Sequence, residues 1–394
     1  MAIILFDDQY RNNLLPLIFT RPVSEIRVGI LTIAEKWKIY LKSEVSYQTE
    51  SYLQDKYPLL ISQENIFINS AICPDKGLAE AIDRISEGDA LYSEDILIAV
   101  KLNESGAQEF NLQNTLQFRM LKYEASFLKL GFPEDIFKNN DQEIRKDFDV
   151  LTTGRSSATL SSNNTILGDS IFVEEGVQAD CSTFNTTSGP IYLGKNSQVW
   201  EGSHIRGSFA LCENSLVKMG TKIYGMTTIG PNSKVGGEIN NSVIFGNSAK
   251  GHEGYLGNSV LGEWCNIGAD SNNSNMKNNY GEVKLWDYQK ESFRRTGLQF
   301  CGLIMGDHAK CGINTMFNTG TVVGVGANVF GSGFPRNFIP DFAWGGNHGF
   351  KTYELGKMFE TAFKVYERKN MILGNTDKNI LARVFELTDK YRRF

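Results

Sequence analysis

The chain is most informative first in what it lacks. There is no basic excess: 40 Lys and Arg stand against 45 Asp and Glu, a net charge of −5. It therefore has no cationic footprint for neutralising a phosphate backbone, and no nucleic-acid partner is expected. No run of about 18 apolar residues exists to span a bilayer. The opening Met1-Ala2-Ile3-Ile4-Leu5-Phe6-Asp7-Asp8 lacks both the basic segment and the apolar stretch of a secretion signal, so the expectation is a cytoplasmic protein with no membrane partner. The six cysteines, Cys73, Cys181, Cys212, Cys265, Cys301 and Cys311, contain no C-x-x-C pair for zinc or redox exchange and read as reduced packing residues. The four histidines, His204, His252, His308 and His348, contain no pair five positions apart, which excludes the three-histidine zinc site of a carbonic anhydrase. Glycine is scarce at both ends, with five among residues 1–150 and two among 351–394, so 31 of the 38 lie between. That shift marks domain boundaries.

The glycine-rich centre carries a fixed period. Steps of six from Leu193 give Val199, Ile205, Leu211, Val217, Ile223, Ile229 and Val235, all branched aliphatics, with Ser197, Ser203, Ser215, Thr221, Thr227 and Ser233 at the fourth offset. The comb resumes at Val243, Ala249, Tyr255, Leu261 and Ile267, then at Met305, Cys311, Phe317, Val323 and Val329, after a short early run at Leu167, Val173 and Ala179. Each unit reads as one flat strand and one tight corner where glycine or a small residue fits. Three units close a turn, so the 21 units predict about seven turns and a prism about 34 Å long at the usual strand spacing. This pattern resembles the hexapeptide-repeat acyltransferases, which implies a left-handed parallel β-helix. The hand comes from the resemblance, because the general crossover rule gives the opposite one.

Function is sought where the comb breaks. Lys250-Gly251-His252-Glu253-Gly254-Tyr255-Leu256-Gly257 places a histidine between glycines, and imidazole chemistry suits proton removal from an amine at neutral pH. With Asn266-Ile267-Gly268-Ala269 downstream, the run resembles the bifunctional N-acetylglucosamine-1-phosphate uridylyltransferase / glucosamine-1-phosphate N-acetyltransferase family. The resemblance implies that His252 is the general base and that Tyr255, Asn266 and Lys222 hold the sugar phosphate. Asn275, or Asn279 by the other alignment, joins them. Lys222 replaces an arginine of the family, losing its bidentate fork, and Asn240 replaces a phosphate-contacting lysine. The resemblance implies acetyl-CoA between adjacent coils, contacting mostly backbone amides, with Asn314 and Gly331 as the nearest matching positions. A prism with three flat faces and one-sided burial commonly leaves apolar edges that associate around a threefold axis, so a homotrimer is expected. His308 and Lys310 read either as contacts to an anionic cofactor or as solvated corner residues. Between residues 272 and 304 the comb disappears, and the resemblance implies an inserted loop acting as a lid.

The amino-terminal third alternates buried-strand runs (Ala2 to Phe6, Ile96 to Val100) with helical patterns (Leu31 to Leu41, Leu78 to Ile85), which reads as an α/β sheet. Leu14-Leu15-Pro16-Leu17, Thr20-Arg21-Pro22 and Arg27-Val28-Gly29 resemble the opening of a divergent two-domain branch of sugar nucleotidyltransferases, although Phe6-Asp7-Asp8-Gln9-Tyr10-Arg11 has no glycine in the phosphate loop. The resemblance implies triphosphate contacts at Arg11 and Arg21 and a Mg2+ ligand at Asp89. After Pro340, Leu355, Phe359, Ala362 and Tyr366, then Ile380, Val384 and Leu387 behind a Thr376 cap, have helical spacing. The expected organisation is an α/β nucleotidyltransferase-like domain over 1–150, an all-β left-handed β-helix over 151–340 with its insert at 272–304, and helices over 341–394. The expected function is acetyl-CoA-dependent acetyl transfer to an amino sugar phosphate, with sugar-1-phosphate nucleotidyltransferase activity in the first domain. The alternative is a UTP- or dTTP-using nucleotidyltransferase whose β-helix only mediates assembly.

Overall fold

The computed structural model describes residues 1–112 and 118–394. They divide into two compact units. One comprises Met1–Leu14, Thr20–Ile26 and Leu31–Gly131, and the other comprises Leu15–Phe19, Arg27–Ile30 and Phe132–Phe394.

The first unit is an α/β sheet, as its alternating pattern predicts. Six strands lie in the order Val45–Gln48, Ala2–Phe6, Glu64–Asn69, Ile96–Asn103, Asp89–Ser93 and Arg119–Lys122. Ala2–Phe6 runs parallel to both of its neighbours. Its apolar run from Ile3 to Phe6 is fully buried, the signature of a strand covered on both faces. The helix Ile33–Leu41 begins with a capping box in which Thr32 and Glu35 satisfy each other's backbone N–H.

The second unit is a parallel β-helix closed by carboxy-terminal helices. Three ladders form its faces. The first stacks nine strands from Ile171–Val173 to Phe338–Ile339, the second starts at Gln178–Ala179, and the third stacks six strands from Thr165–Leu167 to Tyr255–Gly257. Nine rungs span about 38 Å at the usual strand spacing, longer than the comb predicted. The extra coils escaped the comb because their inward residues, Phe184 and Ile339 among them, fall outside the six-residue register.

The eight-residue run from Leu193 to Val235 points inward without exception. The small residues at its fourth offset are buried too, and all of their hydroxyls but that of Ser197 bond backbone; the Ser215 hydroxyl donates to Gly230 O at 2.8 Å. The resumed run is one residue out of phase. A shortened coil moves Ile239, Ile244 and Leu256 inside, and Lys250 pairs on the rung with Val235, whereas Val243, Ala249 and Tyr255 point outward. The two series rejoin at Leu261 and Ile267. Leu167 is also corrected: Ile166 is the rung partner of inward Phe184, and Leu167 lies exposed at the first turn.

The insert is a correction as well. It folds into an antiparallel hairpin, Lys284–Asp287 with Ser292–Arg295, that packs on its own coil rather than projecting as a lid. Trp286 stacks on Phe338 at 4.1 Å, Tyr288 Oη donates to Asp341 Oδ2 at 2.9 Å, and Arg294 forms a two-pronged ion pair with Glu134 at 2.6 Å. Glu134 belongs to the helix Pro133–Thr152, which also seals the first face through Asn140, whose Nδ2 donates to Met226 O at 2.8 Å. Outward positions of the first face are accordingly buried in Phe209–Leu211 and Thr227–Ile229, while those of the third face stay exposed in His204–Arg206 and Lys222–Tyr224. The terminal helices are Leu355–Glu367 and Asn375–Leu387. The second is capped at Gly374 rather than Thr376, and the first buries Met358, Ala362 and Tyr366. No helix among the described residues is long and apolar enough to cross a membrane. All six cysteines are free, with only Cys181 exposed.

Candidate functional site

His252 stands exposed at the corner that joins the second face, after Ala249–Lys250, to the third face at Tyr255–Gly257. Two glycines explain how the chain makes this turn. Gly254 has φ +117, and a Cβ there would collide with the carbonyl of Ser271. Gly257 leaves room for the Tyr255 ring, whose hydroxyl end occupies the place a side chain would take. The corner is held from inside by Lys250, only 2% exposed, whose Nζ donates to Gly236 O at 3.0 Å and to His252 O at 2.7 Å. Burial among apolar rungs pulls the Lys250 ammonium down to about 8.

Tyr255 Oη accepts a hydrogen bond from Asn275 Nδ2 at 2.9 Å, and burial pushes its hydroxyl up to about 12. Asn275 also donates to Asn258 Oδ1 at 2.7 Å. Asn279 is exposed and accepts from Gly281 N, so Asn275 is the asparagine beside Tyr255. Lys222 lies on the same face two rungs away, with Glu238 between them. Asn266 sits on the second face, bridging Ala249 and Lys310, so a single chain does not bring it together with Tyr255. Asn314 and Gly331 are exposed at corresponding corners of later coils, on the edge that carries His252, and a Cβ at Gly331 would meet open space.

His308 and Lys310 are corrected. His308 is 6% exposed, holds φ +61 at a left-handed corner, and stacks near Trp264 and Tyr366 at 6.1 Å each. Lys310 Nζ donates to His308 O at 3.0 Å and to Trp264 O at 3.3 Å, and burial pulls its ammonium down to about 8. Residues of the terminal helix, Met358 and Ala362, close over both, so neither faces a cofactor. Equivalent corners are filled by Asn196, Asn214, Asn232 and Asn247 at positive φ, residues that tolerate this region well.

In the first unit a hollow of about 520 Å³ opens at the carboxyl ends of Ala2–Phe6 and Val45–Gln48, lined by Asp7, Asp8, Arg11, Thr49 and Glu50 among others. Ligands of open α/β sheets bind at such strand ends. Asp7, which sequence reasoning passed over, organises these loops. Its Oδ1 accepts from Val23 N at 2.9 Å and Ser70 Oγ at 2.6 Å, and its Oδ2 from Arg11 Nε at 2.9 Å and Thr49 Oγ1 at 2.5 Å. Asp8 Oδ2 pairs with Lys129 Nζ at 2.8 Å and accepts from Asn69 Nδ2 at 3.0 Å. An acidic pair directly after an apolar run was the available signal. Arg11 and Arg21 are both buried, and Arg11 Nη2 donates to Arg21 O at 3.2 Å, so both are built into the loops. Asp89 does not fit a Mg2+ ligand. Both of its oxygens are taken by Arg119 at 2.6 and 2.7 Å, which holds its carboxyl below the usual range, and its strand register places it toward the opposite end of the sheet. No group of three or more His, Cys, Asp or Glu converges for a metal among the described residues.

Fold and site together define a two-unit chain, an α/β sheet followed by a hexapeptide-type coil with a histidine corner. Residues 3–156 match the family described as sugar nucleotidyl transferase. The chain is similar to the bifunctional protein GlmU of Methanocaldococcus jannaschii, 34% identical over 87 residues that cover 22% of this chain and 21% of that protein. It is also similar to the bifunctional sugar-1-phosphate nucleotidylyltransferase/acetyltransferase of Sulfurisphaera tokodaii, 26% identical over 214 residues that cover 54% and 47% of the two chains. Among solved structures, a UDP-N-acetylglucosamine acyltransferase from Campylobacter jejuni aligns over 58% of this chain and 96% of its own, with 11% identity and a TM-score of 0.32. The chain thus resembles the bifunctional family, and its matches span from 21% to 47% of the length of these two curated relatives.

Proposed function

We propose that the chain is a transferase of sugar-nucleotide metabolism, and that its coil transfers an acetyl group to a phosphorylated amino sugar. The observation that carries this reading is the exposed His252, fixed at a glycine-lined corner beside the bonded pair Tyr255 and Asn275. Acetyl-CoA supplies the thioester when bound along the edge marked by Asn314 and Gly331. A ring nitrogen of His252 accepts a proton from the acceptor amine as the amine nitrogen forms its bond to the acetyl carbon. The carbon–sulfur bond breaks, and the proton ends on the departing sulfur. Tyr255 and Asn275 orient the sugar, and Lys222 contributes charge. Because Asn266 lies on another face, its part in the site comes from a neighbouring copy, which favours a homotrimer. Light scattering should give three times the 44.1 kDa chain mass, and a monomer would remove the shared site.

The second reading, nucleotidyl transfer in the first unit, is favoured by the family match over residues 3–156 and by the hollow at the strand ends. That hollow is lined by Asp7, Asp8 and Glu50 with Arg11 as its cation, so a triphosphate there would rely on Arg11 and on a bound Mg2+ to offset the carboxylates. Incubation with UTP or dTTP, a sugar 1-phosphate and Mg2+ tests it through pyrophosphate release. Acetyl transfer with no pyrophosphate would confine activity to the coil.

A further inference from the structure

The edge that joins the second face to the third carries a column of small residues, each just before a rung of the third face. Register places Ser182, Ser203, Thr221, Gly237 and Gly254 on successive turns, then Ser271 and Thr315 around the insert. Where the column has a hydroxyl, that hydroxyl ties down a corner carbonyl. Ser182 Oγ donates to Trp200 O at 3.1 Å, Ser203 Oγ to Lys218 O at 3.0 Å together with Thr221, and Ser271 Oγ and Thr315 Oγ1 to Gly312 O at 3.0 and 2.9 Å. The column is interrupted at Gly237 and Gly254, on the turn before His252 and the turn that carries it. No hydroxyl-bearing residue fits either place. A Cβ at Gly237 would lie 2.8 Å from the carbonyl oxygens of His252 and Gly254, and one at Gly254 would collide with the carbonyl of Ser271. Residues 236–241 and 251–258 hold neither serine nor threonine.

In those two turns the interior lysine takes over. Lys250 Nζ donates to Gly236 O and to His252 O, one carbonyl from each glycine corner. The inward positions before and after it on the second face are apolar, Val217 and Val235 on one side and Ile267 on the other. Burying an ammonium among them costs free energy that a valine would not, so packing does not account for a lysine here. Its chain reaches from the core to both carbonyls at once, and its donors serve them without placing any side chain on the outer edge. We infer that Lys250 is the positioning residue for His252: it holds the backbone of the histidine's corner from inside the coil, in place of the hydroxyls that glycine has displaced, and so fixes where the imidazole stands on the open edge. The effect on rate rests on the acetyl-transfer reading of His252, whereas the effect on structure rests on the carbonyl column alone. A general base acts only within hydrogen-bond reach of the proton it takes, so a corner displaced by about 1 Å costs on the order of 100-fold in rate.

Amide hydrogen exchange and steady-state acetyl transfer on the full chain test it, with acetyl-CoA and glucosamine 1-phosphate as substrates. Lys250→Met keeps most of the side chain's length and removes its donors; Lys310→Met does the same at the covered His308 corner. In Lys250→Met the amides of residues 251–257 should exchange at least about tenfold faster, while those of 203–224 keep their protection. The kcat should fall about 10- to 100-fold with both KM values unchanged, because Lys250 touches neither substrate. Lys250→Gln, which keeps an amide donor on a shorter chain, should recover part of both effects, and it carries the test if Lys250→Met does not fold. Lys310→Met should leave kcat per folded molecule unchanged. Unaltered exchange at 251–257, an unaltered kcat, or an equal loss of kcat in Lys310→Met overturns the inference. A wild-type chain that acetylates neither glucosamine 1-phosphate nor any other amino sugar phosphate removes the transfer reading instead, and faster exchange at 251–257 in Lys250→Met then still establishes the clamp.

Discussion

The coil carries two corners built from the same pair of residues, and they have opposite fates. Lys250 donates to the carbonyl of His252, and Lys310 donates to the carbonyl of His308. Burial lowers both ammonium groups to about 8. One histidine is exposed between glycines on an open edge, while the other is closed under a helix beside Trp264 and Tyr366. A histidine's availability for chemistry is therefore set by what later parts of the chain lay over it, not by its residue type or its lysine.

Substitution should separate the two corners. His252→Ala should lower acetyl transfer by at least about 100-fold, chiefly in kcat, with the coil still folded, because general-base catalysis carries that much rate. Near-normal turnover would make the exposed corner as inert as the buried one. The lysines are read by pH. Below about 8 the folded and unfolded chains both hold the Lys250 proton. Between about 8 and 10.5 the unfolded chain keeps a proton the folded one has shed, so stability rises with pH. Over that window the wild-type chain should gain up to about 3 kcal/mol relative to Lys250→Met in denaturant unfolding. Parallel curves would mean that the ammonium is solvated. His308→Ala should cost about 2 kcal/mol through lost packing and a strained positive φ, His308→Asn less, with turnover per folded molecule unchanged. A raised KM for acetyl-CoA instead would restore it to a cofactor role. The smallest effect is Tyr255→Phe, which removes one hydrogen bond worth about 1 kcal/mol and should raise the acceptor KM several-fold.

The coil was legible because burial on one side of every strand forces a repeat, and Leu193 to Val235 obeys it without interruption. It became illegible where a shortened turn shifted the phase. Reading Tyr255 as inward hid Lys250, whose polar side chain at an apolar rung was the clearest departure from the pattern. The corner that carries His252 and Tyr255 was marked by a local motif, since the turn needs its glycines within a few residues. Glu238 was not, because a ladder joins residues some sixteen apart. The stacked aromatics over His308 were invisible for the same reason.

The last strands of the coil reverse direction. Ala343–Gly346 continues the second face in parallel, but Gly349–Thr352 pairs back against it antiparallel, with Lys351 on the outermost strand and positive-φ glycines at positions 345 and 349. A stack of identical rungs is an open template for strand addition from another molecule, and a charged, reversed, kinked final strand spoils that template. At the other end, Ser157 and Ala158 bond across Val173 and close the first full turn. The repeat therefore has terminators at both ends, so a sequence that otherwise invites indefinite end-to-end growth produces a rod of fixed length.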